Sequence, residues 1–321
     1  MASFRLLFSV TAVLLMPVAS GWAEDYPSGP IRVVVAFAGG GSADIVARMV
    51  TDAVSKKSGY NFVVENRTGA GGNIAFDSVA AATPDGYTLL FSTPGIAINP
   101  SLYRKVNFSQ KDFTPITLVG ESPLVVMVRP SLPSKTLSEL VQASKVKPDA
   151  IRFASSGNGS SSHLAADVLR TMSGMQYLHV PYRGGAAAMT DLMGGRVDMT
   201  VLPIAESMPY VQDKRLRALG QTGSKRSSIA PDIPTIAEAG IKDYAVTTWY
   251  MLLGPANLPK PIVDSLYKQF NQTIKSPEVR KSLEARGVDV MDADPATTIK
   301  FLNDQSKSWA KAIQASGTKI D

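Results

Sequence analysis

The chain reads as an α/β protein of two lobes, each a mainly parallel sheet flanked by helices, with a ligand cleft between them. Three observations predict this. Short apolar, β-branched runs alternate with longer segments of helical spacing along the whole chain, the pattern of strands joined by covering helices. Two such strand–helix units, at 31–49 and 151–172, are joined by turns of glycine and serine, GGGS and SSGNGSSS. The two turns lie in opposite halves of the chain. A turn of this kind aims free backbone N–H groups and the positive end of a helix dipole at one point, so the pair suits an anion held between two lobes.

The first unit opens with Ile31, Val33, Val34 and Val35 as a buried strand. Gly39, Gly40, Gly41 and Ser42 then turn the chain, and Ile45, Val46, Met49 and Val50 repeat at helical spacing. A short strand at 62–65 leads to a second glycine-rich turn, NRTGAGGN at 66–73, and an alanine-rich helix at 74–82 ends at Thr83-Pro84-Asp85-Gly86. The strand at 87–91 delivers Ser92 and Thr93 to its carboxyl end, where ligands bind in open α/β sheets. The chain crosses to the second lobe near 120–123 and begins it with a strand at 124–128. Thr136, with Glu139 three residues on, predicts a capping box at the start of a helix over 136–145. A strand at 151–154, the serine turn at 155–162 and a helix at 164–172 follow. A further strand closes with His179-Val180-Pro181-Tyr182-Arg183-Gly184-Gly185, and a helix at 186–193 and strands near 197–202 and 216–221 complete the lobe. The return falls between 223 and 230, with a late strand at 249–253. Two amphipathic helices finish the chain. In one, Val263, Leu266, Phe270 and Ile274 share a face; in the other, capped by Asp294 with Pro295 in its first turn, the buried side is expected to carry Ile299, Leu302, Trp309 and Ile313. The expected lobes are 24–121 plus 224–321, and 122–223.

With 321 residues and 45% apolar positions, the chain can bury a sizeable core. Residues 1–23 carry one charge, Arg5, an apolar stretch at 6–18 and a small-residue exit at Gly21-Trp22-Ala23. Together these describe a secretory signal peptide cleaved after Ala23, and the apolar stretch falls short of the ~20 residues of a membrane span. Export and a soluble mature protein are therefore expected. The absence of cysteine excludes disulfides, a lipid anchor through Cys and thiolate chemistry. Losing Arg5 lowers the formal charge of +6 by one. The remaining Lys and Arg are scattered, which does not suit nucleic acid but gives a mild positive field that draws in small anions.

Neither glycine turn completes a dinucleotide fingerprint, since Asp44 and Ser162 stand where the third glycine belongs, and no phosphate-loop Gly-Lys-Ser/Thr occurs. The two histidines, His163 and His179, belong to no metal-ligand spacing, and no Gly-x-Ser-x-Gly elbow exists. No cofactor, metal or catalytic residue is expected. Hydroxyl and amide donors are instead abundant at predicted strand ends: Ser42, Ser92, Thr93, Ser155, Ser156, Asn158, Ser160 and Ser161. Neutral donors with helix starts can hold a carboxylate. Asp44 either complements the helix dipole or accepts a bond from the ligand. An exported hydrolase or isomerase using His163 or His179 is the rival from another class.

Many short motifs in order carry a family resemblance: Tyr26-Pro27 with Pro30-Ile31, the turn at 37–44, Val64-Glu65-Asn66-Arg67 with Gly69-Ala70-Gly71-Gly72-Asn73, Pro84-Asp85-Gly86-Tyr87-Thr88-Leu89, Asn99-Pro100-Ser101-Leu102-Tyr103, residues 155–163, His179-Val180-Pro181-Tyr182, and Pro234-Thr235 with Glu238-Ala239-Gly240. Over essentially the whole mature chain this resembles the Bug (TctC-like) family of periplasmic solute receptors of tripartite tricarboxylate transporters. The resemblance implies a type II-like periplasmic binding protein that closes on a di- or tricarboxylate, an acidic amino acid or an aromatic acid. It implies transporter subunits, or a membrane signalling protein, as the partner, and a monomer is expected. The ligand carboxylate would be gripped by the first glycine turn and by the serine turn of the other lobe. Carried onto this chain, the site set is Phe37, Ala38, Gly39, Gly40, Ser42, Asp44, Ser92, Thr93, Ser155, Ser156, Asn158, Gly159, Ser160, His163, Tyr182 and Pro203. The chain departs from the family at Ala38 and Ala43, where proline and often a hydroxyl residue are usual, and at Leu202-Pro203, where relatives commonly have Asp-Asn or similar polar residues. Fewer polar contacts remain, so no relative's substrate is carried over.

Overall fold

A computed structural model describes residues 26–148 and 150–320; the expected leader, 1–23, lies outside them. The first half alternates β1 (Ile31–Val35), α1 (Ser42–Ser58), β2 (Phe62–Asn66), α2 (Asn73–Ala80), β3 (Thr88–Ser92) and α3 (Gly95–Leu102). β1 pairs in parallel with β2 on one side and β3 on the other. Helices cover both faces of such a sheet, which is why β1 is a run of β-branched residues. Gly59, left-handed at φ 76°, ends α1.

The chain continues through β4 (Phe113–Val128), α4 (Leu137–Val146), β5 (Arg152–Ser155), α5 (Ser161–Ser173), β6 (Leu178–Pro181), α6 (Gly185–Met193), β7 (Met199–Pro203), α7 (Ile204–Gln212) and β8 (Arg217–Gln221). It ends with β9 (Thr247–Pro255), α8 (Lys260–Ile274), α9 (Pro277–Glu284), β10 (Asp289–Ala293) and α10 (Pro295–Ser316). β5 is parallel to β6 and β7. β4 is the strand both lobes share. Its 16 residues reach about 50 Å. From Phe113 to Pro123 it pairs with β9, and from Leu124 to Val128 with β7.

The sheet order is β2-β1-β3-β9-β4-β7-β5-β6, with β8 and β10 also on β4. Each flank is parallel, as expected, but the middle is antiparallel. The lobes are joined by strands running alongside one another, which needs no helical crossover. The second connection is held to the first by Thr222: its hydroxyl accepts the Leu124 N–H at 2.8 Å, its N–H donates to the Leu124 carbonyl, and its carbonyl accepts the Val246 N–H.

Four elements escape the sequence pattern. The sequence reading places no helix at α3 or α7, each of which contains a proline, Pro100 and Pro209. α9 is only 8 residues long, and β10 is a short strand that pairs far back with β4. One core assignment is corrected. Ile299 is 47% exposed, and the buried stripe of α10 is Thr298, Leu302, Trp309 and Ile313, because a 3.6-residue period that carries the last three reaches Thr298 rather than its neighbour. Among the described residues no helix is long and apolar enough to cross a membrane.

Candidate functional site

The loops that follow β1, β2, β5 and β6 meet around a cavity of about 530 Å³. Ala36, Phe37, Thr68, Gly69, Ala70, Gly71, Gly72, Ile74 and Tyr103 wall it on one side, and Ser156, Gly157, Asn158, Pro181, Tyr182 and Arg183 on the other. Carboxyl ends of parallel strands from both flanks therefore open into one space, the expected ligand position for such sheets. No acidic side chain stands among these lining residues, and Arg183 is their one cation.

The β2–α2 turn owes its shape to four successive left-handed residues, Gly69, Ala70, Gly71 and Gly72. Its closeness to the facing lobe demands glycine at 71: a methyl group there would collide with the Asn158 carbonyl across the gap and lie 2.7 Å from the Tyr103 hydroxyl. Asn99 fixes the turn from beneath, donating to the Gly71 carbonyl at 3.0 Å and to Asn73 Oδ1 at 2.6 Å. Tyr103 donates to the Asn158 carbonyl at 3.4 Å, so the two sides touch.

In the serine turn most donors are spent on the turn itself. Ser160 caps α5 by accepting the His163 N–H and donates to the Gly157 carbonyl at 2.6 Å. Ser155 Oγ accepts the Gly157 N–H and lies 2.7 Å from His179 Nε2, while the Gly159 N–H donates to His163 Nδ1. The two imidazoles stack, centroids 4.3 Å apart at 6°. Burial holds both below the ordinary imidazole range, so they are neutral at neutral pH. Ser155 is fully buried, and its contact with His179 ties the turn to β6. Of this turn, Ser156, Gly157 and Asn158 reach the cavity, whereas Ser155, Gly159, Ser160 and His163 stand behind them.

On the facing wall, Tyr182 is held by donating its hydroxyl to Asp191 at 2.6 Å. Burial and that bond push its phenol up to about 12, leaving it a neutral wall.

The first glycine turn is placed differently from the other two. Phe37 lines the cavity, and Ala38 packs toward Gly184, whose added methyl would lie 3.2 Å from the Ala38 Cβ. Asp44 closes the turn: its carboxylate accepts from the Gly40 N–H at 3.0 Å, Arg48 Nε at 2.9 Å and Asn66 Nδ2 at 3.0 Å. Burial opposes its charge, but these bonds outweigh burial and hold the carboxyl below its usual range. Gly40 lines a second cavity, of about 360 Å³, and not the first. The N–H of Ser42 donates to Glu206, a partly buried carboxyl of α7 that burial pushes up to about 8. Gly39, Ser42 and Asp44 likewise lie outside the first cavity's lining, as do the buried Ser92, Thr93 and Pro203.

The sequence reading missed the β2–α2 turn as a wall of the site, although it identified the turn, and it missed Tyr103, Arg183 and Glu206. The strand-end rule that selected Ser92 applies equally to β2 and β6 and points to Thr68 and Arg183. No sequence signal marks Glu206. Among the described residues no cluster of His, Asp or Glu could hold a metal ion.

A family model described as "Tripartite tricarboxylate transporter family receptor" (TctC) matches residues 46–318. Protein BugT of Bordetella pertussis is 32% identical over 320 residues, 98% of this chain and 96% of that one. A protein encoded in the tcbD–tcbE intergenic region of a Pseudomonas species is 35% identical over 292 residues, 90% and 87% of the two chains. Among solved structures, an R. palustris protein with adipate superposes with a TM-score of 0.88 at 32% identity, covering 92% of this chain and 99% of that one. The periplasmic binding protein BugD gives 0.88 at 33% identity, covering 92% and 100%. MatC from Rhodopseudomonas palustris with bound malate gives 0.84 at 30% identity, covering 90% and 100%. The two-lobed architecture, the cavity between facing turns and these matches along the chain converge: it belongs to the TctC/Bug family of periplasmic solute receptors.

Proposed function

We propose that this protein captures a small carboxylate in the cleft between its lobes, closes on it by hinge motion and delivers it to a membrane transporter. The observation that carries this reading is the make-up of the larger cavity: turns rich in backbone N–H groups, Ser156, Asn158 and Arg183 on its walls, and no carboxylate to repel an anion. Such donors suit a carboxylate, while Phe37, Ile74, Tyr103 and Tyr182 offer an apolar body a surface. About 530 Å³ lies within the usual range for a small-molecule site. The relatives solved with adipate and malate support the ligand class, and the family's description supports a transporter as recipient.

In this reading the lobes, 24–121 plus 224–321 and 122–223, rotate about the Leu124–Thr222 contact. Phe37, Ser156, Asn158 and Tyr182 touch the ligand together with Thr68, Gly71 and Arg183, and the remaining site residues shape the turns. The protein is exported by a cleaved leader at 1–23, works in the periplasm as a monomer, and needs no cofactor.

The test is thermal unfolding of residues 24–321 against a panel of organic acids. A ligand at 100 times its Kd adds about 2.7 kcal/mol. Arg183→Gln is expected to weaken the best acid at least about tenfold, near 1.4 kcal/mol, while leaving the ligand-free melt within about 0.5 kcal/mol, since Arg183 is an exposed side chain. A panel in which no acid raises the melting temperature would sink the reading.

A further inference from the structure

Beyond the contact of Ala38 with Gly184 lies the second cavity, about 360 Å³, where the starts of two helices face one carboxyl group. Glu206, in the first turn of α7, accepts the N–H of Ser42, the first residue of α1. A methyl at Gly41 would lie 3.6 Å from Glu206 Oε2, and one at Gly185, the first residue of α6, 2.7 Å from both oxygens. Gly185 has no left-handed backbone to explain it, so the glycine there is the room this carboxyl needs. Free N–H groups and dipole ends at the start of a long helix are where a ligand's anion would otherwise settle.

We propose that Glu206 is the receptor's own occupant of the anion position at α1, and that it thereby sets ligand selectivity: a second ligand carboxylate is shut out, and acids with one carboxylate and an apolar body are favoured. The inference rests on the carboxylate reading above and refines it. With α1 taken, the larger cavity keeps Arg183 as its one cation, among walls that include Phe37, Ile74 and Tyr182, while the arginines of the smaller cavity, Arg215 and Arg286, share it with Asp213 and with Glu206 itself. A compact diacid with one carboxylate on Arg183 would have to hold its second charge with neutral donors or against Phe37, Ile74 and Tyr182, and a charge left against the rings costs far more than a neutral substituent does. The exclusion holds in either protonation state. As a carboxylate Glu206 repels the second charge; as an acid it still fills the space and its carbonyl oxygen still accepts the Ser42 N–H.

The experiment compares acids of matched skeleton, benzoate with phthalate and hexanoate with adipate, by calorimetric titration of the mature protein. The wild type is expected to prefer the monoacid of each pair. Glu206→Ala, which vacates the position, should shift the monoacid-to-diacid affinity ratio at least tenfold toward the diacid. Glu206→Gln, whose amide carbonyl can still accept from Ser42, should keep the wild-type ratio. Gly185→Ala reaches the same point without touching Glu206: its methyl displaces the carboxyl and should reproduce the Glu206→Ala shift. Wild-type selectivity in both Glu206→Ala and Gly185→Ala, with binding retained, overturns the role of Glu206 and leaves the carboxylate reading standing. Binding of none of the four acids, nor of any other in the panel, overturns both.

Discussion

His163, in the first turn of α5, and His179, on β6, stack face to face, and burial penalises the charged form of each. The unfolded chain binds their protons near pH 6.5, the folded chain only well below it. The stability they give is thus complete above about pH 6.5 and is lost as the pH falls beneath it. Glu206 runs the other way. Its carboxyl, ordinarily at 4.5, is pushed up to about 8, so the folded state holds the extra proton between those values and its stability contribution falls as pH rises across them. Acidification from pH 6.5 therefore sets a loss at the histidines against a gain at Glu206. In Glu206→Gln only the loss remains, and the melting temperature should fall more steeply below pH 6.5 than in the wild type; parallel pH profiles would refute this. With two histidines in the chain, proton NMR offers a direct check: neither imidazole should titrate between pH 8 and about pH 5. At this scale the sequence revealed residue chemistry but not its use. Ser155, Ser160 and Asp44 were legible as polar groups at strand ends, yet their bonds are spent on the scaffold: Ser160 within its own turn, Ser155 also on His179 and Asp44 also on Asn66. Glu206 reaches Ser42 from a distant helix, a contact that no local pattern encodes.

Elements were more legible than residues, because periodicity and caps are local. Thr136 does cap α4, accepting the Glu139 N–H at 3.2 Å. The reciprocal half of the expected capping box lands one residue earlier, with Glu139 accepting the Lys135 N–H at 2.7 Å. Thr136→Ala should cost about 1 kcal/mol and lower the melting temperature by about 2–4 °C, while ligand affinity is unchanged because α4 contributes nothing to the lining of the larger cavity; a coupled fall in affinity would show that α4 does more than pack. Where local signals conflicted, the tertiary fold decided. A proline inside a helix costs a backbone bond, yet α3 has Ile96, Ile98 and Leu102 fully buried and α7 has Ile204, and burial on that scale outweighs one lost helix bond. β4 read as a strand of five residues because its first part, interrupted by Pro115 and Gly120, breaks the apolar run, and these positions coincide with register shifts against β9.

For the whole molecule, alternating elements and paired turns made two lobes and a cleft readable, and the family motifs added how such a pair works. The antiparallel seam of β4 and β9 was not readable, because strand direction depends on which connections cross the sheet. In the proposed function that seam is what the lobes turn about. A ligand contacting both walls favours the arrangement in which they touch and shifts the population toward it in proportion to its preference. Ala38 and Gly184 meet at that closure, and Ala38 is neither left-handed nor part of a helix or strand. A large side chain there can wedge the lobes apart without straining its own backbone. Ala38→Trp is expected to keep the ligand-free melting temperature within a few degrees of wild type, to lose ligand-induced stabilisation, and to scatter X-rays with a larger radius of gyration that does not contract when acid is added. If Ala38→Trp bound and contracted like the wild type, closure at this contact would not be what holds the ligand.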